Sequence, residues 1–303
     1  MRKCLFILSL VLLTNWANAQ SSYQALQLVG MSQLQHSDSA PFDLSGIVRV
    51  GDHTYVVADK EWNTFLYEIS MDSATFGFKA IQPLVIEDKP DIEAIAYCQG
   101  NFYLANERNG GLYRFNIRDK VSSVAPEPLV CEQIPVDFYA VGLKPDTWGN
   151  AGWEGLAIDC EHQILYLIKE RQPRFITTVD MNTWHILDQF TIPETESNDF
   201  ADAKFNNGYL YLIERNGNYI TKVDPRTKTV VDKRHYRHVA SHPDGKLFGP
   251  EKFGMAEALL MLEDEIWIGL DNNGHEVTEH AKKVYGLSGN KPVIIRFERP
   301  IGF

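Results

Sequence analysis

The chain is poor in cations. Its 303 residues carry 29 Lys and Arg against 40 Asp and Glu, a formal charge of −11. A nucleic-acid binder shows a basic stripe or patch, so that class is excluded. Long apolar runs are also scarce. The run Cys4 to Leu13 is too short to cross a bilayer, and no other stretch approaches the ~18 residues a span needs. There is no P-loop and no GxGxxG, which removes nucleotide cofactors. There is no GxSxG, so a nucleophile-elbow serine esterase is unsupported. No CxxC occurs, which removes zinc ribbons and thioredoxin-like redox sites. Long amphipathic helix patterns are nearly absent. Hydrophobic residues make up 44%, too many for a disordered chain and enough for the core of one large domain.

Residues 1–19 read as a secretory signal peptide: Arg2 and Lys3, an apolar run, then Ala17-Asn18-Ala19 as a small-x-small cleavage site. We therefore expect an exported protein, periplasmic or extracellular, whose single domain spans 20–303. Removing 1–19 leaves 27 basic residues against 40 acidic, a charge of −13. Three cysteines remain: Cys98, Cys131 and Cys160. Cys98 and Cys160 fall at equivalent ends of two repeats, but equivalent places in neighbouring blades are often too far apart to bond. The expectation is no disulfide.

A repeat organises the rest. Its five segments are 43–60, 91–108, 152–171, 199–215 and 255–273. Each opens near a small or acidic anchor: Ser45, Glu93, Glu154, Asp202 or Glu257. Two alternating apolar runs follow, joined by a polar turn, and the second ends on Asp59, Glu107, Glu170, Glu214 or Asp271. Arg108, Arg171 and Arg215 come directly after three of these acids. Anchor spacings of 48, 61, 48 and 55 residues suit four-stranded propeller blades. Third strands are predicted at 66–69, 112–117, 175–180 and 219–224, and fourth strands at 185–192 and 229–236. The fold class is thus all-β, a single β-propeller of five blades, with six as the alternative. The last blade is one strand short, and residues 23–31 are predicted to complete it and close the ring between the two chain ends. That closure removes open sheet edges.

The pieces Leu44-Ser45-Gly46-Ile47, Asp91-Ile92-Glu93-Ala94, Asn150-Ala151-Gly152-Trp153-Glu154-Gly155-Leu156-Ala157, Ile213-Glu214-Arg215, Ala256-Glu257-Ala258 and Asp271-Asn272-Asn273 carry a resemblance. In this order the chain resembles the secreted propeller family known as the esterase-like activity of phytase family. It is also similar to the related SdiA-regulated propeller family. Ala94 and Ala258 stand where the family has Gly, and Asp199-Phe200-Ala201-Asp202 matches loosely. The resemblance implies a β-propeller of the bacterial cell envelope, calcium binding, and hydrolysis of phosphate or carboxylic esters.

Equivalent positions in successive blades form rings around a propeller axis. Repetition therefore gathers Glu93, Glu154, Asp202 and Glu257 in one ring and Glu107, Glu170, Glu214 and Asp271 in another. Crowded carboxylates need compensation. A hard cation such as Ca²⁺ supplies it, and so do paired arginines or backbone N–H groups that staple blade to blade. In the leading reading Glu93, Glu107, Glu170, Glu214 and Asp271 hold Ca²⁺, and Glu154 or Glu257 is the general base. Arg108, Arg171 and Arg215 then hold the charge of a phosphate ester. A non-catalytic propeller binding an envelope ligand, and a lactonase-like hydrolase, stay open beside it; a monomer is expected in each case. Trp153 and Trp267 read as core, while Trp62 and Trp148 sit in polar loops where they could line a ligand mouth. His275-Glu276 with His280 is not HExxH and reads as loop or short helix. His235, His238 and His242 read as exposed surface.

Overall fold

A computed structural model describes residues 23–35, 42–72, 75–117, 127–239, 245–249 and 254–303. The signal-peptide segment 1–19 and His242 lie outside the described residues. β1 (Leu28–Gln35) precedes a first antiparallel group of β2 (Leu44–Val50), β3 (His53–Ala58), β4 (Phe65–Asp72) and β5 (Thr75–Val85). β6 (Ile92–Cys98), β7 (Asn101–Asn106) and β8 (Leu112–Phe115) begin a second group. After the short β9 (Leu129–Val130), β10 (Glu132–Gln133) completes that group. A third group holds β11 (Trp153–Asp159), β12 (Ile164–Lys169), β13 (Phe175–Asp180) and β14 (Ile186–Phe190). A fourth holds β15 (Phe200–Asn206), β16 (Tyr209–Glu214), β17 (Tyr219–Asp224) and β18 (Thr229–His235). β19 (Ala256–Met261), β20 (Glu265–Leu270), the short helix α1 (Glu279–Tyr285) and β21 (Val293–Glu298) finish the chain.

The alternating runs form hairpins because every second side chain faces a neighbouring sheet and the joining turns have the right chemistry. Asn207 and Gly208 both take positive φ, 50° and 81°, as a tight two-residue hairpin requires. β1 lies antiparallel to β21 and becomes the outer strand of the last group, at 28–35 rather than 23–31. It also pairs in parallel with β5, so the first and last groups are hydrogen-bonded into one sheet. The first strands of the groups touch in the cyclic order β2, β6, β11, β15, β19 and back to β2. These four-stranded sheets around a common axis make a β-propeller.

The core lies between the sheets. Trp153 is fully buried, with ring centroids 4.9 Å from Trp148, 5.4 Å from Phe138 and 6.0 Å from Phe175. Truncating such a ring costs about 3–5 kcal/mol. Trp267 packs on Phe76 in the seam between the first and last groups, so both expected core tryptophans are core.

Cys98 and Cys160 form a disulfide with Cα atoms 5.8 Å apart, which corrects the expectation of none. Blades splay outward from the axis, but these cysteines end β6 and follow β11, the two innermost strands, where neighbouring blades are closest. Cys131 is a buried free thiol whose pKa burial pushes up to about 12.

Candidate functional site

Strand register explains how the site is built. In the first group Leu44 faces Ala58 and Gly46 faces Val57, so Ser45 is an extra residue, a β-bulge. The same bulge falls on Glu93 between Ile92 and Ala94, on Glu154 between Trp153 and Gly155, and on Glu257 between Ala256 and Ala258. A bulge breaks the alternation and re-aims its side chain. Here it turns the anchor side chain toward the axis. The residue after the bulge packs against the next inner strand and must be small: a Cβ on Gly155 would lie 2.7 Å from the Ala201 carbonyl oxygen.

The fourth repeat is shifted by one residue relative to its sequence alignment. Phe200 faces Glu214, as Ile92 faces Asn106 and Trp153 faces Lys169. The residue after each of these second-strand positions is therefore Asp59, Glu107, Glu170, Arg215 or Asp271. Ala201 takes the anchor place, and Asp202 stands where the other repeats have Gly or Ala. Asp202 is fully buried and staples blades together, accepting hydrogen bonds from Leu259 N (2.9 Å), Ala203 N (2.7 Å) and Lys204 Nζ (2.6 Å). Glu214 turns away from the axis and accepts from Ser197 N at 2.8 Å, from Glu196 N and from the Thr221 hydroxyl. The expectations of Glu214 as a metal ligand and Asp202 as a ring member are corrected: both are buried structural acceptors.

Arg108 also lies elsewhere. It is half-exposed, pairs with Asp91 at 3.0 Å and does not line the cavity. Trp148 packs edge-on against Trp153, with the Lys169 ammonium 4.7 Å from its ring centroid, and Trp62 is exposed on a short 3-10 turn. Neither lines the cavity.

The remaining expected residues converge. A cavity of about 320 Å³ is lined by Glu93, Glu107, Glu154, Glu170, Glu257, Asp271, Arg171 and Arg215. Sequence reasoning had not placed Asp43 or Lys60 there. Asp43 sits where the second and fourth repeats carry Asp91 and Asp199, and Lys60 follows Asp59 as Arg108 and Arg171 follow their acids, so both signals were in the repeat. In all, eight carboxylates face three cations around this space.

Arg215 is buried, with Nη1 2.7 Å from Glu257, Nε 3.2 Å from Asp199 and Nη2 on Glu170. Arg171 also pairs with Glu170 and donates to the Asn150 carbonyl at 2.5 Å. Glu107 accepts from Gly152 N at 2.8 Å. The buried Lys169 donates to the Ala151 carbonyl at 2.5 Å and so fixes the loop that carries Gly152. Burial pulls its pKa down to about 8 against the pull of Glu107.

The acids crowd one another. Burial raises the pKa of Glu93 well above the usual range, and Glu154, Asp59 and Glu107 add to it. Glu93 is partly open to the cavity yet surrounded by protein, so it loses solvation much as a buried group does. Burial also raises Glu154 well above its usual range, opposed by Arg215 and reinforced by Glu257 and Glu107. Glu107 and Asp59 are each pushed up to about 6, again mainly by burial. Asp271 is raised well above its usual range by burial and then by Asp43. For Arg215, burial works against the charged form, but Glu257 and Glu154 outweigh it and keep the guanidinium protonated.

The donor set fits a hard divalent cation. Oxygens of Glu107, Glu154 and Glu170 lie within 4.8 Å of one another, as do those of Asp59, Asp91 and Glu93. Among the described residues Glu154 is buried with no hydrogen bond, and Glu170 Oε2 and Glu257 Oε2 are buried without a partner. Calcium takes about 6–8 such oxygens, including water and carbonyls, which carboxylates alone do not need to supply.

Fold and site together define a β-propeller with an acidic axial cavity. The SdiA-regulated family matches residues 42–235. The chain belongs to that family. No curated protein matches it significantly. Among solved structures it is similar to the glutaminyl cyclase of Myxococcus xanthus, at 11% identity and TM-score 0.58, covering 92% of this chain and 99% of that one. It is also similar to the PQQ-bound aldose sugar dehydrogenase of Streptomyces coelicolor, at 10% identity and TM-score 0.48, covering 89% and 98%. The RRP9 WD40 repeats align at 10% identity and TM-score 0.45, covering 86% and 66%. Likeness at this identity concerns the fold.

Proposed function

We propose that the chain is an exported, monomeric, five-bladed propeller that binds one divalent cation, Ca²⁺, in its axial cavity and hydrolyses phosphate esters in a phytase-like manner. The observation that carries this reading is the cluster of Glu107, Glu154 and Glu170, with oxygens within 4.8 Å at the wall of an otherwise polar cavity. The cyclic contact of five inner strands supports the blade number. The Cys98–Cys160 bond supports an oxidising compartment, and with it export.

In this reading Glu107, Glu154 and Glu170 hold the cation, which supplies charge to draw in and polarise the anionic ester. Glu154 thus moves from the proton-transfer role to the ligand set. Glu257 is held by Arg215 and is not free to move a proton. Glu93 has no hydrogen bond among the described residues and faces the cavity. Burial, reinforced by Glu154, raises its pKa well above the usual carboxylate range, which favours the protonated form a general acid needs. As water attacks phosphorus and the P–O bond to the alcohol breaks, Glu93 passes its proton to the departing oxygen, and the proton that the attacking water sheds returns to Glu93, so the acid is restored. Arg171 and Lys60, both partly exposed on the cavity wall and paired with Glu170 and with Asp59 and Asp43, are the cations left to meet the ester.

The test is turnover of phosphate monoesters and of lactones, with and without chelator. Chelator-sensitive phosphate hydrolysis is expected. Glu93→Gln should lose about 10²–10⁴-fold in turnover with calcium binding intact, and Glu154→Gln should lose both. Lactone turnover alone points instead to a carboxylic-ester hydrolase. A second reading, a ligand-binding propeller without turnover, is favoured by Arg215 already neutralising Glu170 and Glu257. No hydrolysis of either class would leave that reading standing.

A further inference from the structure

We infer that Arg215 is a built-in counter-cation that fills what would otherwise be a second metal position beside Glu107, Glu154 and Glu170, and that it thereby limits that side of the cavity to one divalent ion. This rests on the cation reading above and goes further, by assigning what sets the ion count. The first argument is positional. Arg215 stands at the ring place where the other four repeats carry Asp59, Glu107, Glu170 and Asp271. One repeat thus delivers a fixed positive charge where its equivalents deliver carboxylates.

The second argument is chemical. Every nitrogen of the guanidinium is engaged: Nε with Asp199 (3.2 Å), Nη1 with Glu257 (2.7 Å) and Nη2 with Glu170. Three carboxylates from three different elements converge on one positive charge, as they would on a bound cation. None of these nitrogens is left over to clamp a phosphate, which removes Arg215 from the substrate-binding role its place after Glu214 suggested.

The third argument comes from what remains unpaired. Glu170 Oε2 and Glu257 Oε2 are buried and have no hydrogen-bond partner even with Arg215 in place. Among the described residues, two carboxylate oxygens on the partners of the guanidinium are therefore buried and unpartnered. Taking Arg215 away leaves Asp199 and Glu257 without their cation and Glu170 with Arg171 alone. Keeping it fixes Glu170 between the metal cluster and the guanidinium, so Arg215 is a positioning residue and not a catalytic one.

The experiment counts calcium bound to the full mature chain by atomic emission after equilibrium dialysis, for wild type, Arg215→Lys and Arg215→Met. The expected result is one ion for wild type, one for Arg215→Lys, whose ammonium restores the charge, and two for Arg215→Met. In parallel, calcium should raise the melting temperature of Arg215→Met more than that of wild type. Should Arg215→Met fail to fold, the double variant Arg215→Met with Asp199→Asn lowers the uncompensated charge and carries the same expectation of two ions. One ion in wild type and one in every variant overturns the inference and leaves the cation reading intact. No ion in wild type but one in Arg215→Met overturns the cation reading and, with it, the limit of one ion inferred here. No ion in any of them overturns both. Two ions in Arg215→Lys as well as in Arg215→Met also overturns the inference, because charge at this position would then not set the count.

Discussion

Breaking the Cys98–Cys160 bond should cost the fold a large part of its stability. The bond closes a loop with a sequence separation of 62. Chain-entropy reasoning for a loop of that length gives about 4 kcal/mol at room temperature. With a urea dependence of about 3 kcal/mol per molar, the midpoint should fall by roughly 1.3 M. The perturbation is Cys98→Ala with Cys160→Ala, compared with wild type in the presence and absence of reductant. Cys98 is 1% exposed, so part of any loss comes from its packing; reductant separates the two contributions. Reductant should shift wild type toward the variant and leave the variant unmoved. Peptide mapping should find Cys131 as the one alkylated thiol between residues 23 and 303 before reduction. Equal midpoints for wild type and variant, with Cys98 and Cys160 both alkylated, would refute the bond and remove the support it lends to export.

Three further outcomes are expected. Metal-free protein should be more stable at acid than at alkaline pH. Asp202, Asp59 and Glu107 are held at about 6 in the folded chain, so between roughly pH 4 and 6 the folded state binds more protons than the unfolded one. Stability then falls as pH rises through that window, by about 1.4 kcal/mol from Asp202 alone between about pH 5 and 8; urea melts at the two pH values check this, and higher stability at alkaline pH refutes it. Gly155→Ala should destabilise by about 1–3 kcal/mol, because its Cβ would meet the Ala201 carbonyl at 2.7 Å. Gly77→Ala, with open space around it, should be near neutral in the same thermal melts. Arg108→Ala should cost at most about 1 kcal/mol, since Arg108 is half-exposed in its pair with Asp91.

Much of the fold was legible because a propeller repeats its own chemistry. Period-2 runs and polar turns marked the hairpins, and the missing strand of the last group pointed to the N-terminal segment. The site was less legible. Aligning repeats by their acids put Glu214 beside Glu107 and Glu170, and Asp202 beside Glu93. Register is set instead by the bulge and by what fits against the next inner strand. Aligning Asp199-Phe200-Ala201-Asp202 on the Asp-apolar start of Asp91-Ile92-Glu93-Ala94 would have found the shift and brought Arg215 into the ring. The disulfide is not legible in the sequence because blades are far apart on average and close only at their inner strands, where Cys98 and Cys160 lie. Lys169, buried under Trp148, left no sequence signal because its partners are backbone carbonyls.

The most direct measurement for the central claim is an anomalous difference map from crystals of the mature chain grown with calcium and, separately, with a lanthanide. A peak within coordination distance of Glu107, Glu154 and Glu170, absent in Glu154→Gln, is the expected result. A cavity without a peak under either condition, or a peak confined to surface acids, would contradict the assignment of this carboxylate ring as a cation site.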